Sequence, residues 1–464
     1  MRAPGFRTLL PVVVLAGIAG CSGPLGTSGP YAGLSRTYEP GTPAFDAQTR
    51  PSNEGGARGI RVDVSTPELT LVFRRSGTDL AARIEWLVRL MRADDRQLIE
   101  ERTYRDTVVR EGISVPSLFT RAAFSTFFEA APDRYLVEVV LEDLSSGKTE
   151  RKELIFELPA RNQPLLATDL RLESADGRPI VELLVPESDA RRKVSLYVTG
   201  NVQRPALLRY SLFRLETDSS AAQSPYWQGP GSGFAGLNPP PLFAADTLAV
   251  ERRVVERGPL ARIEFAVPPV DQGTYRVEVA IEDLETEGDP PAIELSRYII
   301  VRRSNFPLVE GYGELIPPLI YLADASEWET LANAAAEADA REHFDAFWGR
   351  RMQDREVAAR VVHSYFSRVE EANLRYSAFK EGWKTDRGMV FMILGEPLFI
   401  ERTIEAEIWH YSYEGDRGER SFVFNRVWRE ETPEVIDEYL LERSFEYERF
   451  WREEVSRWRT GAIS

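Results

Sequence analysis

Alternation of apolar and polar residues at period two runs through the first two thirds of the chain. In residues 135–142, Tyr135, Val137, Val139 and Leu141 fall on one face and Glu138 and Glu142 on the other. That is the pattern of an antiparallel strand with one dry and one wet face. Residues 69–73 and 84–88 are further strand candidates, and a polar turn at 145–148 leads into another at 153–158. The 135–144 phrase returns at 275–284 with seven of ten positions identical, again followed by an apolar strand at 298–301. A supersecondary unit that recurs at a fixed spacing predicts two tandem domains of one type.

The second copy opens Asp271-Gln272-Gly273-Thr274-Tyr275. It resembles the tyrosine corner of immunoglobulin-like sandwiches, in which the tyrosine hydroxyl bonds back to the backbone. The first copy has Asp133-Arg134-Tyr135 without the glycine. Inside the second domain, residues 218–246 are irregular and carry Tyr226 and Trp227 among glycines and prolines. Loops of this length are functional or disordered, so Tyr226 and Trp227 are candidate interaction residues for a protein or a glycan.

The period changes after Phe306. A capping box at Ser326–Glu329 predicts one helix. A second follows Asp354, with Ala358, Val362, Tyr365, Val369, Ala372 and Tyr376 in an amphipathic stripe. Apolar runs at 389–394, 408–413 and 421–424 predict strands, the last two joined through the polar loop 414–419. A closing helix is expected from about Pro433 toward Trp458. The predicted architecture is two tandem all-β immunoglobulin-like sandwiches followed by an α+β C-terminal domain.

Composition alters this picture mainly at the amino end. The only cysteine, Cys21, closes the run Ile18-Ala19-Gly20-Cys21, after Arg2, Arg7 and an apolar stretch from Leu9 to Ala19. That stretch is too short to cross a hydrocarbon layer of about 30 Å as a helix. A basic start, a short apolar core and small residues mark a cleaved signal. The four residues resemble a bacterial lipobox, which implies lipidation of Cys21 and anchorage to a membrane. The expected boundaries are a signal peptide over 1–20, a lipid-anchored linker over 21–59, sandwiches over 60–160 and 161–305, and the α+β domain over 306–464. The formal charge of −16 argues against nucleic acid as a partner.

Gly382-Trp383-Lys384-Thr385-Asp386-Arg387-Gly388 resembles the signature of the GWxTD-domain family of bacterial exported proteins. Phe347-Trp348-Gly349 and Glu371-Ala372-Asn373 upstream agree with it, as do Gly395-Glu396-Pro397 and Trp409-His410-Tyr411 downstream. The family is described only as one of unknown function, so the resemblance implies location and fold more than activity. The motif reads as a structural connection in which Gly382 ends the preceding helix; in the alternative reading Trp383, Thr385, Asp386 and Arg387 are candidate interaction residues. The three histidines, His343, His363 and His410, have no zinc spacing. Neither a thiol nucleophile nor a serine elbow occurs, and no cofactor or metal is expected. The expectation is a non-enzymatic lipoprotein in the envelope of a diderm bacterium, placed in the outer membrane by Ser22 after the anchor. It would act as a scaffold for a protein partner. Glycan binding is the alternative, and a carboxylate-dependent hydrolase ranks below it.

Overall fold

A computed structural model describes residues 43–462, apart from 111–118, 159–165, 175–178, 188–191, 200–205, 228, 230–242, 256–259, 284–292, 335–336, 351, 353, 404–405, 413–419 and 428–437. Cys21, the signal segment, the 414–419 loop and Pro433 lie outside the described residues.

The repeated phrase occupies the same place in two units of one topology. In the first, strands Asp46–Glu54, Ala57–Pro67 and Arg121–Glu129 make one antiparallel sheet. Strand Asp79–Arg92 pairs with Leu98–Arg110 and with Asp133–Asp143, which pairs with Lys148–Leu158, in a second sheet. In the second unit, Leu166–Glu173, Arg192–Thr199 and Leu260–Val267 repeat the first sheet. Phe243–Val255, Ala206–Glu216, Gly273–Asp283 and Ile293–Arg302 repeat the other. Inward residues of both sheets meet in each core: Ile60, Val62, Trp86 and Val139 in the first, and Leu172, Leu196, Tyr210 and Val277 in the second. Both tyrosine corners form. Tyr275 donates to Asp271 O at 2.8 Å, and Tyr135 donates to Ala131 O at 2.6 Å without the glycine.

Several expectations need correction. The linker does not run to residue 59, because Asp46–Glu54 is already a strand, turned into its partner by Gly55 and Gly56 at positive φ. Its apolar face is short (Phe45 and Ala47), so polar composition concealed it. Residues 69–73 hold a short 3-10 turn at Glu68–Thr70 instead of a strand. Glu138 is not wet: it is buried between Arg89 and Arg151, at 2.8 and 2.5 Å.

The two sandwiches are joined through buried charge. Arg171 of the second reaches Asp63 of the first at 3.3 Å, and Arg50 approaches the same carboxylate at 3.2 Å. Arg121 bridges Asp46 at 2.6 Å and Glu182, across the joint, at 3.6 Å. A second seam of Leu215, Tyr298, Ile300, Phe306 and Phe379 links the second sandwich to the C-terminal unit.

That unit is α+β. Helices α1 (Tyr312–Leu315), α2 (Ala325–Ala332), α3 (Glu337–Gly349), α4 (Arg355–Tyr376), α5 (Asp386–Leu394) and α6 (Tyr447–Thr460) accompany one antiparallel sheet. Its strands, in spatial order, are Phe399–Arg402, Ala406–His410, Ser421–Arg426 and Tyr439–Leu441. Tyr365, Phe391, Trp409, Phe422 and Trp458 fill the core between helices and sheet. The expected strand at 389–394 is α5: its residues are apolar on every side, so period alone does not separate a buried strand from a buried helix. The capping box belongs to Asp324 and Glu327, two residues before the expected cap. The closing helix begins at Tyr447, after a strand at Tyr439–Leu441. Among the described residues no helix is long and apolar enough to cross a membrane.

Candidate functional site

The Gly382–Gly388 segment is a knot between the end of α4 and the start of α5. Gly382 does not end a helix, as the sequence suggests. It opens a single 3-10 turn, pressed so closely on the Ala372 carbonyl that a Cβ would collide with it. A Cβ at Gly388 would collide in turn with the Gly382 carbonyl. The Trp383 amide donates to Asn373 Oδ1 at 3.3 Å, and Asn373 Nδ2 donates to Pro307 O at 3.2 Å. The Trp383 ring meets Tyr321 edge-on, and its Nε1 donates to Glu381 Oε2 at 3.0 Å. Thr385 caps α5: its hydroxyl accepts from Gly388 N at 3.1 Å and donates to Gly382 O at 2.8 Å.

Asp386 ties this knot to the last strand. Its carboxylate accepts from Leu441 N at 2.7 Å and Arg443 Nη2 at 2.6 Å. Arg387 lies over the Tyr439 ring and 3.5 Å from Glu407, which also accepts from Trp409 Nε1 at 3.1 Å. All four sequence-predicted motif residues are therefore buried and partnered inside the unit. Burial pushes the Glu381 carboxyl up, but Lys384, Arg302 and Arg303 outweigh it and hold Glu381 below its ordinary value. Burial pushes the Tyr321 hydroxyl well above its ordinary value, so it stays a neutral donor to Trp383 O at 3.0 Å.

The structure also brings Tyr226 to this site from the second sandwich. After strand Ala206–Glu216, residues 218–227 form a strap across the C-terminal unit. Lys380 Nζ reaches Asp218 Oδ2 at 2.7 Å and Ser220 O at 3.1 Å. Ala222 N donates to the Tyr321 hydroxyl at 3.2 Å, Arg443 Nη2 to Gln223 O at 3.3 Å, and Ser444 N to Pro225 O at 3.0 Å. Tyr226 packs against the C-terminal core under the Arg452 guanidinium, 5.3 Å from its ring centre. Trp227 is half-buried where the strap turns.

Concavities lie on both sides of the strap. One of about 140 Å³ is lined by Lys380, Thr385, Asp386, Arg387 and Arg443. The other, about 810 Å³, lies between the strap, Ile320–Asp324 and α6, with Tyr226, Trp451, Arg452 and Arg459 on its walls. Lys380, Tyr321 and Arg443 carried no local signal, because their partners in the site lie 57 to 220 positions away. Asn373 was visible only as part of the wider motif context.

Hydrolytic chemistry by two carboxylates needs them to converge. Burial raises both Glu370 and Glu371. Glu370, however, accepts from Val309 N, Glu371 pairs with Arg375, and neither lines the strap concavities. Among the described residues no group of three or more His, Cys, Asp or Glu side chains is placed to hold a metal ion.

Residues 292–460 match the family model of the GWxTD domain. No curated protein sequence matches the chain. Among solved structures, red sea bream transglutaminase is similar at 10% identity and a TM-score of 0.17. The match covers 56% of this chain and 31% of that one, about a third of the transglutaminase's length.

Proposed function

This chain is a GWxTD-domain-containing protein, and on that premise we propose that it is a non-enzymatic, lipid-anchored scaffold of a diderm bacterial envelope, attached through Cys21 in the outer membrane. Its two sandwiches are immunoglobulin-like modules that space and orient the C-terminal domain, and that domain engages a protein partner. The lipobox-like run and Ser22 after the cysteine support the anchor, and the paired tyrosine corners support the module type.

The observation that carries the scaffold reading is the use of every polar group in the motif. Trp383, Thr385, Asp386 and Arg387 all hold elements of the domain together. A buried ion pair, Arg171–Asp63, and the partly buried Arg121–Glu182 pair hold the two sandwiches to each other in the same way. Such a body presents surfaces in a fixed relation, and the acids and bases of the motif are engaged in holding it together. Glycan binding by Tyr226 and Trp227 has less support, since the Tyr226 ring is packed against the C-terminal core.

The test is crosslinking and pull-down of the full-length protein from membranes, beside a Cys21→Ser variant. A stoichiometric protein partner and loss of membrane partition in the variant are expected. Partition unchanged by Cys21→Ser removes the anchor, and the absence of any stoichiometric partner removes the scaffold role.

A further inference from the structure

The strap at 218–227 behaves like a ligand of the C-terminal domain that happens to be covalently attached. Its docking uses backbone groups of a segment outside any helix or strand: the carbonyls of Ser220, Gln223 and Pro225 and the amide of Ala222 are each bonded to the domain beneath. Side-chain recognition is concentrated at its ends. Asp218 meets Lys380 at the first end, and Tyr226 lies under Arg452 at the other. Between them Ala221 and Ala222 press small apolar surface onto the core. The two concavities share Ala221, Ala222 and Gln223 as walls. The strap therefore divides one continuous cleft, which runs from Asp386 and Arg387 to α6.

We propose that this cleft is a receptor for a short peptide held along its main chain, occupied in cis by residues 218–226. The partner it fits carries an acidic residue, then small residues over about seven positions, then an aromatic ring. Main-chain hydrogen bonds give such a cleft affinity, and the end pockets give it specificity. A tethered segment competes at high effective concentration. A free peptide is held off until the strap releases, and its apparent affinity falls by the fraction of molecules whose cleft is open. The inference rests on the partner-binding reading of the domain and names the chemistry of the partner.

The probe is a fluorescein-labelled peptide of residues 217–227, titrated into the full chain by anisotropy. An Asp218→Ala, Tyr226→Ala double variant weakens the strap and leaves the cleft intact. It should bind the peptide at least about tenfold tighter than the parent does. Adding Lys380→Glu should remove most of that gain, and a peptide carrying Lys at the Asp218 position should restore it. Thermal unfolding of each variant verifies that the domain is folded. Equal binding to parent and strap-weakened chains, no binding to a folded strap-weakened chain, or indifference to Lys380→Glu overturns the proposal. Loss of peptide binding with partner capture retained would defeat this cleft alone, whereas loss of the stoichiometric partner defeats the scaffold reading itself.

Discussion

Two glycines of the motif are set by contact, not by backbone freedom. Neither Gly382 nor Gly388 has positive φ; each lets one carbonyl approach where a side chain would stand. Gly382→Ala must push α4 from the 3-10 turn or shift the turn itself, at about 2–3 kcal/mol. Thr385→Ala removes only a cap and costs about 1 kcal/mol, while Thr385→Ser keeps the hydroxyl and stays near the parent. Urea denaturation followed by tryptophan fluorescence gives the order. Gly382→Ala at parental stability would mean that the close approach does not restrain the domain. The motif's spacing was legible in the sequence, and so was its role as a connection. Its partners were not. Asp386 binds a backbone amide 55 positions later, and Arg387 an acid 20 positions later; in a chain with 73 acidic residues nothing local singles out Glu407.

At the scale of elements, alternation located the strands at 84–88, 135–142 and 153–158. The repeated phrase lies on strands Asp133–Asp143 and Gly273–Asp283, each interior to its sheet. Alternation failed where burial was complete. Residues 386–393 are buried throughout, so α5 carries no period; its signals are Thr385 before it and Gly395, at φ +78°, after it. The strap was legible only as a long loop with two aromatics. Its docking depends on one titratable contact whose sign can be worked out. Burial alone would raise Asp218, but hydrogen bonds from Lys380 and Ser220 outweigh it and hold its pKa below the ordinary value. A carboxylate depressed in the folded state stabilises docking above the unfolded pKa, near 4, and loses that contribution as pH falls through the folded value. Protection of the Ala222 amide against hydrogen exchange should therefore drop below about pH 4, before the domain unfolds. Asp218→Asn should abolish that pH dependence. Protection that stays constant to the acid limit of the fold would show that the Lys380 contact does not hold the strap.

For the whole molecule, the joint between the sandwiches decides whether it is a rod or a string of beads. Asp63 and Arg171 have side chains only 3% and 5% exposed, and Arg50 shares the carboxylate. Removing one partner of a buried pair strands the other charge, at about 3–5 kcal/mol when no second partner remains. Arg171 keeps Glu173 at 3.2 Å, so the loss on Asp63→Ala falls below that range. The expected outcome is a loosened joint in a folded chain: small-angle scattering gives a larger radius of gyration, and the first sandwich melts separately. Scattering indistinguishable from the parent would mean that the remaining Arg121 bridge to Glu182 is enough.

The same joint fixes where a tether would pull. The first described strand begins at Asp46, which Arg121 and Lys152 grip beside the second sandwich. The strand then runs away from the joint to the Gly55–Gly56 turn, nine residues or about 30 Å on. A lipid on Cys21 would thus draw on the end of the strand that lies at the joint, with the Gly55–Gly56 turn at the far end. Energy transfer to headgroup dyes should then be stronger from a label at Thr120, exposed beside Arg121 at the joint, than from one at Gly55. Stronger transfer from Gly55 than from Thr120 would mean that the turn faces the lipid, and attachment at the joint would be wrong even with the anchor intact.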